Sequence, residues 1–256
     1  MWYQGKIPEK RPPVVAIVGA RRCTKYGEEI AYRAAYELAK HGVVIVSGMA
    51  YGIDACAHRG CLDAGGITIA ILGTAIDNLY PRSNFGLSQR ILEKGAIISE
   101  YAPGFETRAY NFQIRNRIVS GLADAVLIVE AAPGSGTFGT YDFALKQGKD
   151  IFAVPADITR PMSAGANEML RNAAHPYLDV SDILSCLGIS YTATERDLSG
   201  LSDIEQKVYK LILEGVKDAD EIVARLDISA MDFNCAITTL ELEDFVVPLG
   251  QGWGPR

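Results

Sequence analysis

The 256-residue sequence predicts an α/β fold, with helices on both faces of a parallel sheet, followed by a small domain of three helices and a strand pair. Three observations support that expectation. Six short runs rich in Val and Ile fall between residues 14 and 155, and they barely alternate, as strands buried on both faces do. Amphipathic stretches of helical period separate them, and strand and helix in strict turn imply a parallel sheet. Beyond residue 187 the pattern changes and the composition turns acidic.

The strand candidates are VVAIVG (14–19), VVIVSG (43–48), ITIAILG (67–73), AIISE (96–100), AVLIVE (125–130) and DIFAVP (150–155). After the first comes EEIAYRAAYELAKHG, an amphipathic helix with a glycine stop at Gly42. After the second, Ile53, Cys56, Ala57, Gly60 and Ala64 make a small-residue face suited to close packing on a sheet. NFGLSQRILEKG, ending at Gly95, precedes the fourth. A helix starting near Gln113 leads into the fifth, with Ile114, Ile118, Gly121 and Leu122 toward the sheet. After the fifth, Phe138, Tyr141, Ala144 and Leu145 share one helical face. The tail reads SDIEQKVYKLILEG, DADEIVARLD, SAMDFNCAITTLELED and FVVPLGQGWG, which is a winged-helix pattern. The expected plan is a core over 1–187, a linker over 188–198 and the winged-helix domain over 199–256.

Composition narrows the function classes. Apolar residues make up 48% and charged residues 22%, as in an ordinary globular protein. No apolar run approaches the roughly 18 residues that cross a bilayer, and MWYQGKIPEKRPP lacks the apolar core of a signal peptide. Five cysteines with no CxxC pair argue for a reducing, cytoplasmic setting. The net charge of −6 belongs to the tail, where residues 188–256 hold 6 Lys and Arg against 13 Asp and Glu. Residues 1–187 hold 19 and 18, so the core is free to carry a local positive site. The third tail helix carries Asp232 and Glu241, with Glu243 and Asp244 at its end, and no Lys or Arg. Phosphate contacts dominate DNA affinity, so this domain is not expected to grip duplex DNA.

Ligands of parallel sheets bind beyond the carboxyl ends of the strands. The loops there are GARRCTKYG, SGMAYGIDACAH, GTAIDNLYPRSN and EAAPGSGTFGT, all rich in Gly and small polar residues. Gly134, Ser135 and Gly136 sit at a helix entrance, where free backbone N–H groups suit a phosphate. Ser47, Gly48 and Gly52 leave further N–H groups near the sheet edge. In the stretch NFQIRNR, Arg115 lies at the strand mouth and offers a planar fork suited to phosphate oxygens. Arg117 is expected to be partly structural, one arginine pairing with a carboxylate such as Glu100 or Glu130. Asn111 and Phe112 add a polar group and an aromatic plane on which a base can stack, and Asn116 points away from the sheet face. Cys56, His58 and Cys61 point about 200° and 140° apart on a helix, which rejects a metal site. Asp54 and His58, four residues apart, are expected to pair and fix their loop. There is no GxxxxGK[ST] loop, the first loop GARRCTKYG is not GxGxxG, and no Ser, His and Asp set stands out, so neither catalytic residues nor a cofactor are expected.

VAIVGARRCTKYG, IVSGMAYGIDACAHRG, TIAILGTAIDNLYPRSN, ISEYAPG, NFQIRNRIVSGLADAVLIVEA and FAVPADITRPMSAGANEML occur in this order. Together they resemble the bacterial DNA-processing protein A (DprA/Smf) family over about residues 14–175. The resemblance implies an extended Rossmann-like core that binds single-stranded DNA, forms a homodimer and loads the RecA recombinase during natural transformation. The expected nucleic-acid-binding set also includes Tyr51, Asn116, Arg117, Thr137 and Phe138. Two departures stand out. The family usually has Arg at the position of Tyr51, and often a basic residue near Ala132, Pro133 and Gly134. Their loss implies weaker, more salt-sensitive binding, which Tyr51 could offset by stacking on a base. A competing expectation is a nucleotide sensor or phosphoribohydrolase-like enzyme on the same fold, because APGSGT is similar to the PGGxGT loop of those enzymes. Their catalytic Glu falls near Thr140 here.

Overall fold

The computed structural model describes residues 1–190, 198, 200–243, 245–249 and 252–255. Within the expected linker, residues 191–197 lie outside them, as do 199, 244, 250, 251 and 256 of the tail. The chain divides into two compact units, Met1–Tyr191 and Thr192–Arg256.

The first unit is built on an eight-stranded sheet. Its elements run β1 (Trp2–Gly5), β2 (Val14–Val18), α1 (Lys25–Lys40), β3 (Val44–Ser47), α2 (Ile53–Asp63), β4 (Thr68–Leu72) and α3 (Phe85–Lys94). Then follow β5 (Ala96–Ser99), α4 (Ala109–Leu122), β6 (Ala125–Ile128), α5 (Thr137–Lys146), β7 (Asp150–Ala153), α6 (Pro161–Asn172), β8 (His175–Pro176) and α7 (Val180–Cys186). The strand order is β1-β5-β4-β3-β2-β6-β7-β8, and every pairing is parallel except β1 against β5. From β2 the chain winds outward through β3, β4 and β5, then returns to β6 on the other side of β2. The direction of winding reverses between β2 and β6, which opens a crevice at their carboxyl ends.

Both faces of the sheet are buried, and successive strand residues alternate between two cores. Val14, Ala16 and Val18 pack with Ile118, Val119, Tyr141 and Met169 of α4, α5 and α6. Val15 and Ile17 pack with Ala31, Leu38, Ile53, Ala57 and Ile183 of α1, α2 and α7. Helices α1 and α2 cross so closely that a Cβ on Gly60 would collide with the Tyr32 carbonyl oxygen. The six Val/Ile runs thus form the six central strands. The sequence reading lacked β1, whose four residues are all exposed, and β8, which is two residues long.

Helix α4 begins at Ala109, a turn earlier than expected. Asn111 holds its start: the Asn111 side chain accepts from the Arg108 N–H at 2.7 Å, and the Asn111 N–H donates to the Arg108 carbonyl at 3.0 Å. Its buried face differs from the expected one. Ile118 is buried, but Ile114, Gly121 and Leu122 are exposed, while Arg115 and Val119 turn inward.

The second unit holds α8 (Asp203–Leu213), α9 (Ala219–Leu226), α10 (Ala230–Leu242) and an antiparallel pair, β9 (Val246–Leu249) with β10 (Gly252–Pro255). Ser202, Asp218 and Ser229 cap the three helices through their side-chain oxygens. Val208, Ile212, Ile222, Phe233, Ile237 and Leu240 form its own core.

Candidate functional site

The crevice widens into a cavity of about 730 Å³, within the range of small-ligand sites. Its walls are the loops at the carboxyl edge of the sheet. Val18 ends β2 and Gly19 to Arg22 follow it, Gly48 and Ala50 follow β3, and Thr74, Asn78 and Tyr80 follow β4. Thr107 and α4 contribute Phe112, Gln113, Arg115 and Asn116, and the β6–α5 loop contributes Ser135, Gly136 and Thr137.

Two buried charges fix the turn after β3. The Asp54 carboxylate accepts from the N–H groups of Gly48 and Ala50 at 3.1 and 3.2 Å. Arg115, only 4% exposed, donates to the carbonyls of Gly48 and Ile71. Gly48 is therefore held at both ends, and a Cβ there would strike the Arg115 guanidinium. Burial lowers the Arg115 pKa to about 10, against the favourable field of Asp54, so the guanidinium stays charged at neutral pH. Burial also raises Asp54, with Arg115 opposing.

This changes the roles read from the sequence. Arg115 does reach the strand mouth and lines the cavity, but it serves two backbone carbonyls rather than chiefly a ligand. Arg117 pairs with Glu100 and is not part of the cavity wall. Asn111 is buried and spent on the helix cap. Ser47 donates to the Ile17 carbonyl at 2.7 Å inside the core. Gly52, at φ 71°, opens α2 with its Cα against the Ala20 carbonyl. Phe138 packs into the core beneath α5, and Gly134 makes the turn with φ 69°. Phe112, Asn116, Ser135, Gly136 and Thr137 do face the cavity, and Asn116 donates to the Gly136 carbonyl at 3.2 Å. Asp54 and His58 do not pair. The Thr68 hydroxyl donates to the Ile45 carbonyl at 2.8 Å, so it accepts from His58 Nδ1–H at 2.7 Å. That fixes the histidine tautomer and leaves Nε2 without a partner.

Several wall residues escaped the sequence reading: Arg21, Arg22, Thr74, Asn78, Tyr80, Thr107, Gln113 and Thr140. Their loops were marked by glycine content, but nothing in the spacing says which side chains turn inward. Glu130 shows how the first loop is held. Buried beneath it, its carboxylate accepts from Thr24 N–H at 2.8 Å and Thr24 Oγ1–H at 2.6 Å. The result presents Arg21 and Arg22, both exposed and free of ion pairs among the described residues. Arg21 lies over the Phe112 ring at 5.6 Å.

Buried polar atoms rarely go unpaired. Here Thr74 Oγ1, Thr107 Oγ1, Ser135 Oγ and Arg115 Nε have no protein partner, and all four belong to cavity residues. The cavity thus combines neutral polar groups in need of partners, an aromatic plane, a helix entrance and two free cations. Such a set suits a nucleotide unit: planar base inside, phosphate toward the arginines. Among the described residues no group of His, Cys, Asp and Glu could hold a metal ion, and no helix is long and apolar enough to cross a membrane.

Comparison with known proteins gives a consistent picture. A family model described as DNA recombination-mediator protein A matches residues 1–188. Protein Smf of Escherichia coli is 34% identical over 233 residues, covering 90% of this chain and 62% of that protein. The solved structure of DNA processing protein A from Streptococcus pneumoniae superposes with a TM-score of 0.68 at 34% identity, over 74% of this chain and 66% of that one. That of DNA processing protein A from Helicobacter pylori, reported for its single-stranded DNA binding mode, gives 0.66 at 34%, over 72% and 85%. The chain spans about three fifths of the length of the curated relatives it matches.

Proposed function

The chain belongs to the DNA recombination-mediator protein A family, and from that premise we infer that its cavity holds single-stranded DNA. The observation that carries this reading is the cavity wall itself, four unpaired buried polar atoms behind two unpaired arginines. Arg21, Arg22 and the entrance of α5 take phosphates, while the neutral polar groups meet the edge of an unpaired base. The relative from Helicobacter pylori, with its single-stranded DNA binding mode, supports the same reading.

The finer reading is a non-catalytic role: a cytoplasmic homodimer that protects incoming DNA and passes it to the RecA recombinase. Asp54 is the one carboxylate on the cavity wall among the described residues, and it is already engaged by two N–H groups. Thr140, at the place of the phosphoribohydrolase Glu, is a buried threonine, which weighs against base release. Nucleoside monophosphates incubated with the protein should yield no free base by chromatography.

The second unit has the helix order and strand pair of a winged helix. With its acidic third helix it is read as a contact for protein rather than duplex DNA.

Fluorescence anisotropy with labelled oligo-dT, against duplex of equal length over a salt series, tests the main reading. Single-strand preference, weakened in Arg21→Ala and Arg22→Ala, is expected. Equal affinity for both forms, or none for either, overturns it.

A further inference from the structure

Beside the main cavity lies a narrow slot of about 20 Å³, which shares six wall residues with it, Arg21, Tyr80 and Phe112 among them, and is completed by Tyr51 and Pro81. The slot has room for a water molecule and not for a base. The two tyrosines that line it are another matter. Tyr51 and Tyr80 are 46% and 51% exposed, and neither hydroxyl has a hydrogen-bond partner among the described residues.

The Tyr80 ring and the backbone that carries Tyr51 are both held in place. Tyr80 leans on Phe112, with centroids 5.6 Å apart and planes at 58°, and Arg21 covers Phe112. Tyr51 projects from the turn that Asp54 and Arg115 grip. In that turn Met49 is fully buried at φ 63°, and Asn84 Nδ2 donates to its carbonyl at 3.0 Å. A bulky residue at positive φ is costly and persists only where its surroundings over-determine it. Here they set an exposed tyrosine beside the cavity. Rigid aromatic side chains lose little entropy when they bind.

We propose that Tyr51 and Tyr80 form a stacking site for an unpaired nucleobase, next to the nucleotide whose base enters the main cavity. The proposal rests on the single-strand reading and adds a source of selectivity to it. In a duplex each base already has both faces covered, so these rings gain nothing from it.

The test uses the full chain and an oligo-dT carrying one 2-aminopurine, whose fluorescence is quenched by stacking. Tyr51→Ala and Tyr80→Ala should each lose roughly five- to a hundredfold in affinity and most of the quenching, while Tyr51→Phe keeps both. The slope of log affinity against log salt should stay the same in the tyrosine variants and shrink by about 0.7 in Arg21→Ala, since only phosphate contacts release counterions. Wild-type affinity and quenching in the alanine variants overturn the stacking site while leaving single-strand binding intact. Failure of the wild type to bind oligo-dT removes the single-strand reading and the stacking site together.

Discussion

Gly48 is gripped from two sides, its N–H by Asp54 and its carbonyl by Arg115, and it has no space for a methyl group. Gly48→Ala should displace the guanidinium, cost about 1–3 kcal/mol in a denaturant melt and weaken oligo-dT binding. Arg115→Ala is expected to destabilise the fold as well as the site, because it strands two buried carbonyls. Binding lost in that variant therefore needs a stability control. His58 gives a pH signature. Burial, with the fields of Arg115 and Arg59, lowers its pKa to about 3. Below about pH 6.5 the unfolded chain takes up a proton that the folded chain refuses, so stability falls as pH drops from there toward 3. His58→Gln should flatten that limb in melts recorded across the range. At this scale the sequence misled in a consistent way. Arg115 and Asn111 have the chemistry of ligand groups, and only three-dimensional partners reveal that backbone atoms claim them. Tyr51 was weighed as a loss of charge, expected to raise salt sensitivity; fewer phosphate contacts make the salt dependence shallower instead.

At the scale of elements the apolar pattern was sufficient for the six central strands, since strands buried on both faces have no polar side to blur the signal. It failed at the edges. Strand β1 is exposed along its whole length and owes its place to pairing with β5. Helix α4 starts a turn before the apolar spacing predicts, because Asn111, which holds its first turn, is a polar residue that the spacing does not register. Its inward face was misread because Arg115 occupies a position that helical periodicity reserves for apolar residues. Asn111→Ala should cost about 1 kcal/mol, read as a lower melting midpoint. The same unwinding would move Phe112 and Gln113, so oligo-dT affinity should fall with it.

At the scale of the whole molecule, the unit Thr192–Arg256 has a core of its own. A fragment of residues 192–256 should leave duplex DNA unshifted in a gel at physiological salt, as its acidic third helix requires. The cavity of the first unit draws its wall from Val18 through Met162, so the crossovers that run from β2 to β7 must all be in place before it exists. A fragment that stops short of α6 lacks part of that wall. Occupancy is then a vote for the entire first unit against its unfolded chain. By mass action, an oligonucleotide at a hundred times its dissociation constant adds about 2.7 kcal/mol to that unit. A calorimetric scan should show its transition moving upward with oligo-dT while that of the second unit stays where it was.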